Sequence, residues 1–302
     1  MKIKDILLEY NSKLDSLDLE LIIAHILNKP REFVLAHPEF QLTMTQEKRC
    51  EQLVKRRINH EPLAYILGHK EFYGLDFKVN KNVLIPRPET ELLVEEVLKS
   101  LKTNSCKLQT VVDIGTGSGN IIISIAKLLW TSDVQIQKGH RMSLFGLDIS
   151  SKALAVAKQN AKKNKVGIPP AGRIEFIKSN LLDYFFKNEK NLLKIVNCKL
   201  IIICNLPYLS KKIYSSAMPD VKNYEPKIAL YAKNDGLYYY EKLFQQIKKM
   251  PNTKYQTLNT ILEISPEQKN KMQKLILKYF PRVKIIFKKD LAGKWRMASF
   301  KI

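Results

Sequence analysis

Three glycines at alternate positions, Gly115, Gly117 and Gly119, follow a β-branched run in VVDIGTGSGN, with Asp113 two residues ahead of the first and Thr116 and Ser118 between them. Glycines between a strand and a helix let the backbone pass close to a ligand, and the helix that follows offers unpaired N–H groups. A tight turn alone would also use glycine, but the acid and the strand–loop–helix setting add to the pattern. The spacing is GxGxG, not the GxGxxG that handles a dinucleotide pyrophosphate. Asp113 would repel a pyrophosphate, so a cationic ligand with an amino-acid head fits better. Further along, LFGLD ends in Asp148, where a carboxylate can accept from both hydroxyls of a ribose. Asp148 lies 33 positions after Gly115, wider than the roughly 20 common for such a pair, and the Thr131–Met142 stretch reads as a surface insertion that accounts for the excess.

A second constellation is Asn205, Leu206, Pro207 and Tyr208, directly after the apolar run Leu200–Cys204. A polar Asn at the carboxyl end of a central strand lies where ligands bind in open α/β sheets. An amide or amino nitrogen is a poor nucleophile because its lone pair is delocalised. Two acceptors aimed at its N–H groups, the Asn205 side-chain oxygen and the Leu206 carbonyl, would orient it and stabilise developing positive charge. Tyr208 would supply a flat face for packing. An Asn-Pro type turn is the plainer alternative.

The elements that must hold these groups follow from periodicity. Residues 1 to about 68 carry apolar positions at helical spacing, as in Ile6, Leu7, Tyr10 and Leu14 and then Leu19, Ile22, Ile23 and Ile26, with Ser16 and Asp18 as candidate caps. Phe72 to Val79, with Gly74 and Asn80, predicts a hairpin or extended linker, and Pro86 and Pro88 hold the next segment extended before a helix from Thr90. From about 107 onward short β-branched runs alternate with helical stretches, the pattern of βαβ units. The predicted strands are 110–113, 143–148, 173–178, 200–204, 260–264 and 284–288, and the predicted helices 120–129, 152–164, 236–250 and 266–280. The expected organisation is a helical docking domain at 1–70, a hairpin or linker at 71–89, and an α/β domain at 90–302.

The chain resembles the release-factor glutamine N5-methyltransferases, which use S-adenosylmethionine, nearly from end to end. The resemblance is carried by residues 56–98 with IPRPETE, DIGTGSG (113–119), LDISSKALAVAKQNA (147–161), NLPY (205–208), EPKIAL and DGL (225–237), LEISPEQ (262–268) and KDLAGKWR (289–296). It implies a class I methyltransferase fold, a Rossmann-like and mostly parallel seven-stranded sheet with a small all-α N-terminal domain. Carried over by position, Asp113 and Gly115 to Gly119 would wrap the methionine part of the cofactor, Asp148 the ribose and Leu181 the adenine edge. Asn205 would hold the target glutamine amide beside the cofactor, with Leu206, Pro207 and Tyr208 completing the pocket. The partner would be a peptide-chain release factor, whose GGQ loop presents the glutamine to an enzyme that needs positioning more than acid–base catalysis. Several positions depart from the family pattern. Leu206 replaces a proline, giving the NLPY common in rRNA adenine dimethylases; Asn180 stands for an acid before Leu181; Lys199 and Leu200 replace an acid; Lys233 and Ser265 replace glycines.

Composition sets the remaining bounds. The chain has 302 residues, 45% hydrophobic and 26% charged, which excludes disordered and collagen-like classes. The net charge is +22, from nine arginines and 42 lysines against 29 acids. A dispersed lysine excess is the mark of a solvated coat more than of a base-reading surface, which leaves nucleic acid as a background contact and not the expected substrate. Cys50, Cys106, Cys198 and Cys204 are irregularly spaced and make no zinc cluster with the five histidines, so no metal is expected. The N-terminus reads as neither signal nor transit peptide, and no apolar run approaches a membrane span. A cytoplasmic monomer with free thiols is expected. Two alternatives stand beside the glutamine reading: an RNA or DNA adenine-N6 methyltransferase, and a non-catalytic binding protein that kept the fold.

Overall fold

The computed structural model describes residues 1–102, 108–130, 141–167, 174–196, 199–251 and 257–302. Cys106, Cys198 and nearly all of the Thr131–Met142 stretch therefore lie outside the described residues. The chain divides into two compact units, Met1–His69 with Ala217–Tyr224, and Lys70–Ser216 with Glu225–Ile302.

The first unit is helical, with helices Ile3–Tyr10, Ser16–Leu27, Arg31–Ala36, Met44–Ile58 and Leu63–Leu67, and Pro219–Tyr224 from the returning segment. The cap of the second helix is Asp15, whose carboxylate accepts from the Leu17 N–H; the expected caps Ser16 and Asp18 fall inside the first turn because the helix starts at Ser16. Thr43 and Gln46 form a reciprocal capping box at the fourth helix. Ile6, Leu19, Ile22, Ile23, Val34, Leu53 and Val54 make its buried core. Each such side chain contributes roughly 1.5–3 kcal/mol by leaving water. The Tyr224 hydroxyl donates to the Asn59 carbonyl at 2.7 Å, tying in a segment that no sequence pattern assigned to this unit.

The second unit opens with a hairpin, β1 (His69–Phe72) and β2 (Leu75–Lys78). Its turn residues Tyr73 and Gly74 both have positive φ, 54° and 70°, the torsions a two-residue hairpin turn requires. Seven strands then form one sheet: β3 (Leu108–Ile114), β4 (Arg141–Asp148), β5 (Ile174–Lys178), β6 (Lys199–Cys204), β7 (Thr257–Glu263), β8 (Ile285–Lys289) and β9 (Trp295–Lys301), in the order β5-β4-β3-β6-β7-β9-β8. The pairings among β5, β4, β3, β6 and β7 are parallel, and β9 runs antiparallel to β7 and β8. The expected strands and helices are present with ends moved by no more than three residues, except that the last helix is a 3₁₀ turn at Pro266–Gln268 followed by Lys269–Tyr279. Strand β9 was not anticipated, because WRMASFK holds charged, small and polar residues whose strand conformation is dictated by two neighbours, not by propensity.

The sheet is buried on both faces. Along β6, Leu200, Ile202 and Cys204 enter one core with Phe145, Phe185, Tyr240 and Phe244, while Ile201 and Ile203 enter the other with Leu93, Val97, Ile122 and Ile125. A strand covered on both sides reads as a continuous apolar run, which is why its end at Asn205 stands out in the sequence. Among the described residues no helix is long and apolar enough to cross a membrane.

Candidate active site

Strand register places the site. Ile114 at the end of β3 pairs with Leu147 of β4 on one side and Cys204 of β6 on the other, so Gly115, Asp148 and Asn205 emerge side by side. The chain leaves β3 toward β4 and β5, then returns to β6 on the opposite side, and this reversal opens a crevice at the carboxyl ends of the strands. The crevice is a cleft of about 1030 Å³ including its mouth. Gly115, Thr116, Gly117, Ser118, Asp148, Leu181, Asn205, Leu206 and Pro207 all line it, together with Asn180.

The glycine loop is fixed by backbone contacts. The N–H groups of Gly115 and Thr116 both donate to the Leu147 carbonyl, at 2.8 and 2.9 Å. Gly117, at φ +55°, turns its N–H onto Asp148 Oδ2 at 3.0 Å, and Ser150 N–H donates to Oδ1 at 2.8 Å. At Gly119, φ +81°, a Cβ would come within 2.7 Å of Ile123 and 3.2 Å of the Ala157 methyl, so only glycine lets the two helices close behind the loop. Burial raises the Asp148 carboxyl above its ordinary value, opposed by the N–H groups of Ser150, Gly117 and Ile149.

Three expected site residues stand behind the cleft and do not line it. Asp113 is fully buried, accepts from the Thr116 hydroxyl at 2.6 Å, and has one oxygen without a partner; burial and the nearby Asp148 push it up to about 7. Its position inside β3, one residue before the strand end, turns it inward and makes it a support for the loop. Gly119 is the close-packing point just described. Tyr208 is not among the residues lining the cleft: its hydroxyl donates to Glu263 Oε1 at 3.0 Å, and burial raises that hydroxyl well above its ordinary value.

Asn205 is held from its nitrogen end. Its Nδ2 donates to the Thr90 hydroxyl at 3.3 Å, and that hydroxyl donates to Glu263 Oε2 at 2.6 Å. The Leu206 carbonyl lies 3.4 Å from the Tyr240 hydroxyl, which donates more closely to the Glu263 carbonyl at 2.5 Å and so leaves Leu206 its acceptor capacity. Leu181 sits at φ +50°, a torsion uncommon for a side chain of its kind, and its carbonyl accepts from Ser179 Oγ at 2.8 Å.

Several supporting residues carried no role in the sequence reading. Buried Asn160 accepts from Lys78 N–H at 2.7 Å and donates to the carbonyls of Lys78 and, at 2.9 Å, Ser118, clamping the glycine loop to β2. Glu225 accepts from Ile85 N–H and from Arg87, fixing the extended segment beside the cleft. Thr90, Glu225 and Glu263 all lie inside motifs the resemblance rests on, which was the available signal. The departures lie mostly elsewhere: Lys199 is buried at the start of β6 and donates to the Ser100 carbonyl, and Ser265 forms a capping box with Gln268.

The chemistry of the donor set can be tested against the cofactor. Arg87 is the single cationic side chain among the described residues lining the cleft, and it is paired with Glu225. A protein of net charge +22 thus keeps this cleft free of unpaired positive charge. That suits a sulfonium cation with a ribose and an adenine, and gives a pyrophosphate no unpaired cationic side chain.

A seven-stranded sheet of this order, with a glycine loop and an acid at successive strand ends, defines a class I methyltransferase that uses S-adenosyl-L-methionine. Residues 2–68 match the PrmC N-terminal domain family, and residues 106–279 match a methyltransferase domain family. The chain is 33% identical over 306 residues to the release factor glutamine methyltransferase of Clostridium botulinum (strain Hall), covering 98% of each. It is 35% identical over 288 residues to that of Mycoplasma mycoides subsp. mycoides SC, covering 95% of this chain and 92% of the other. The bifunctional methyltransferase of Rickettsia bellii is 35% identical over 285 residues, 86% of this chain, and the chain spans about half, 47%, of that relative's length. Among solved structures, the hMettl16 catalytic domain has the same fold at a TM-score of 0.52 and 14% identity, with 92% of this chain and 90% of the other covered. The chain belongs to the release factor glutamine methyltransferase family.

Proposed function

We propose that this protein methylates the side-chain nitrogen, N5, of the glutamine in the GGQ motif of a peptide-chain release factor, in the cytoplasm. The observation that carries the reading is Asn205 at the cleft wall, held through its nitrogen so that its carbonyl oxygen is available to an N–H donor.

In this reading the backbone of Gly115 to Gly119 surrounds the methionine part of the cofactor, Asp148 accepts from the ribose hydroxyls with lone pairs not used by Gly117 and Ser150, and Leu181 borders the adenine. S-adenosylmethionine, when bound, supplies a methyl group on a positively charged sulfur that departs with the bonding electron pair. The chain's own part is positioning. Asn205 Oδ1 and the Leu206 carbonyl accept the two N–H groups of the glutamine amide and turn its nitrogen toward the methyl, and the proton that nitrogen gives up as the N–C bond forms passes to solvent. Pro207 fixes the wall beside them. The one acid among the described lining residues, Asp148, is bonded to two backbone N–H groups and serves as a ligand-holding group, not a base. The helical unit would dock the release factor, which brings the glutamine as part of a folded protein.

Incubation with labelled S-adenosylmethionine and a GGQ release factor, followed by peptide mass analysis, tests the reading. One added methyl on that glutamine is expected. Bound cofactor with no gain on the release factor would overturn it, and label entering RNA or DNA instead would replace it with the adenine reading.

A further inference from the structure

The amide of asparagine is nearly symmetric in shape, so which end faces the cleft is decided by its hydrogen-bond partners. Here the partner is the Thr90 hydroxyl, 2% exposed, which has a single hydrogen to give. At 2.6 Å it is bonded to Glu263 Oε2, whose ionised form is favoured by its two hydroxyl partners and by Arg296. A carboxylate only accepts, so that hydrogen is committed to Glu263 and Thr90 retains only lone pairs. Asn205 must then offer Thr90 its NH₂ group, as the 3.3 Å contact from Nδ2 records, and Oδ1 receives no hydrogen bond from the described residues. With the amide reversed, its NH₂ would face the NH₂ of an incoming glutamine, donor against donor.

Glu263 is suited to this duty by its place at the end of β7, where it is 1% exposed. Its second oxygen accepts from the Tyr208 hydroxyl at 3.0 Å, and its own backbone carbonyl accepts from Tyr240. Burial raises its carboxyl, while the Thr90 and Tyr208 hydroxyls and the charge of Arg296 favour the ionised form. A glutamine at 263 has one acceptor and one donor end, so it cannot accept from both hydroxyls, and one of them must turn.

We propose that Glu263, acting through Thr90, is the positioning residue that sets the polarity of the Asn205 amide and, with its other oxygen, pins Tyr208 beside it. The inference rests on the glutamine reading for its consequence but concerns a separate set of contacts. Thr90→Val keeps the side-chain shape and removes the hydroxyl. Its kcat on a GGQ release factor is expected to fall on the order of 100-fold, with the cofactor Kd within about threefold, because the relay acts on the methyl-accepting amide and not on the glycine loop. Thr90→Ser should restore turnover to within about fivefold. Glu263→Gln should lose kcat on the same scale, and the Thr90→Val/Glu263→Gln double variant should lose no more than the worse single one, since both break one chain. Wild-type kcat in Thr90→Val would overturn the proposal, as would a matching loss of cofactor affinity, which would mark the threonine as merely structural.

A second measurement does not depend on turnover. One Asn205 Nδ2 proton, assigned by its disappearance in Asn205→Asp, should exchange slowly with solvent in the wild type and rapidly in Thr90→Val. If the wild type binds cofactor yet transfers nothing to the release factor, the glutamine reading alone fails. The exchange result then still decides the relay, with equal rates in the two proteins overturning it.

Discussion

On the Gly115 side of the cleft the contacts are made mainly by the backbone groups and glycine torsions of one loop, set against the end of β4, whereas on the Asn205 side they are made by side chains from Thr90, Asn205, Tyr208 and Glu263, up to 173 residues apart. The first side answers to local sequence and, in the proposed function, would hold the cofactor. The second answers to the sheet order that brings β6 and β7 together beside the Thr90 turn, and in that proposal it would aim the reacting group. Recognition by backbone tolerates much side-chain change, while an amide must be aimed by specific partners. The two sides should therefore fail separately, one in cofactor affinity and stability and the other in turnover.

The largest separation is expected from Asn205→Ala. Its kcat on a GGQ release factor should fall by at least ~100-fold, the scale of losing a preorganised polar contact to the reacting group, with cofactor affinity by isothermal titration unchanged within about threefold. A parallel loss of cofactor affinity would break the division between the two sides.

The converse case is Asn160→Ala, which removes two hydrogen bonds to Lys78 of β2 and one to Ser118 of the glycine loop. Leaving the buried Ser118 carbonyl and the part-buried Lys78 groups without these partners costs about 2 kcal/mol. A lower midpoint in denaturant and weaker cofactor binding are expected, with kcat at saturating cofactor nearly retained. A fall in kcat as large as that of Asn205→Ala would show that the loop also aims the substrate.

The smallest effect sharpens the cofactor side through pH. Asp113 titrates at about 7 in the folded chain against 3.8 unfolded, because burial and the Asp148 charge disfavour its ionised form. Between those values the folded state holds a proton that the unfolded chain has lost, so stability falls as pH rises from about 4 through 7. Asp113→Asn carries no such charge and still accepts from the Thr116 hydroxyl. It should flatten that slope and gain on the order of 1–2 kcal/mol over the wild type at pH 8, read as melting temperature across pH 5 to 8. An unchanged slope would place the titration elsewhere.

Much of this was legible because its causes are local. The run VVDIGTGSGN names a strand, a tight loop and a helix start in consecutive residues, and Leu200–Cys204 ending at Asn205 marks a strand buried on both faces. The roles of Asp113 and Tyr208 were less legible, since type and spacing put both in the site while the strand's pleat and a bond to Glu263 turn them away from the cleft. Strand β9 and the Ala217–Tyr224 segment of the helical unit carry no periodic signal of their own. Their conformations come from the neighbours they pair with.

By itself the sequence determined the α/β alternation, the helical front unit, the glycine loop with its following acid, and the polar break after β6, because periodicity, turn chemistry and helix starts act over a few residues. Only the tertiary structure decided which way the Asn205 amide faces. That choice depends on one hydroxyl, Thr90, which gives its hydrogen to Glu263 and accepts from Asn205, and nothing short of the assembled sheet brings these three distant segments within 3.3 Å.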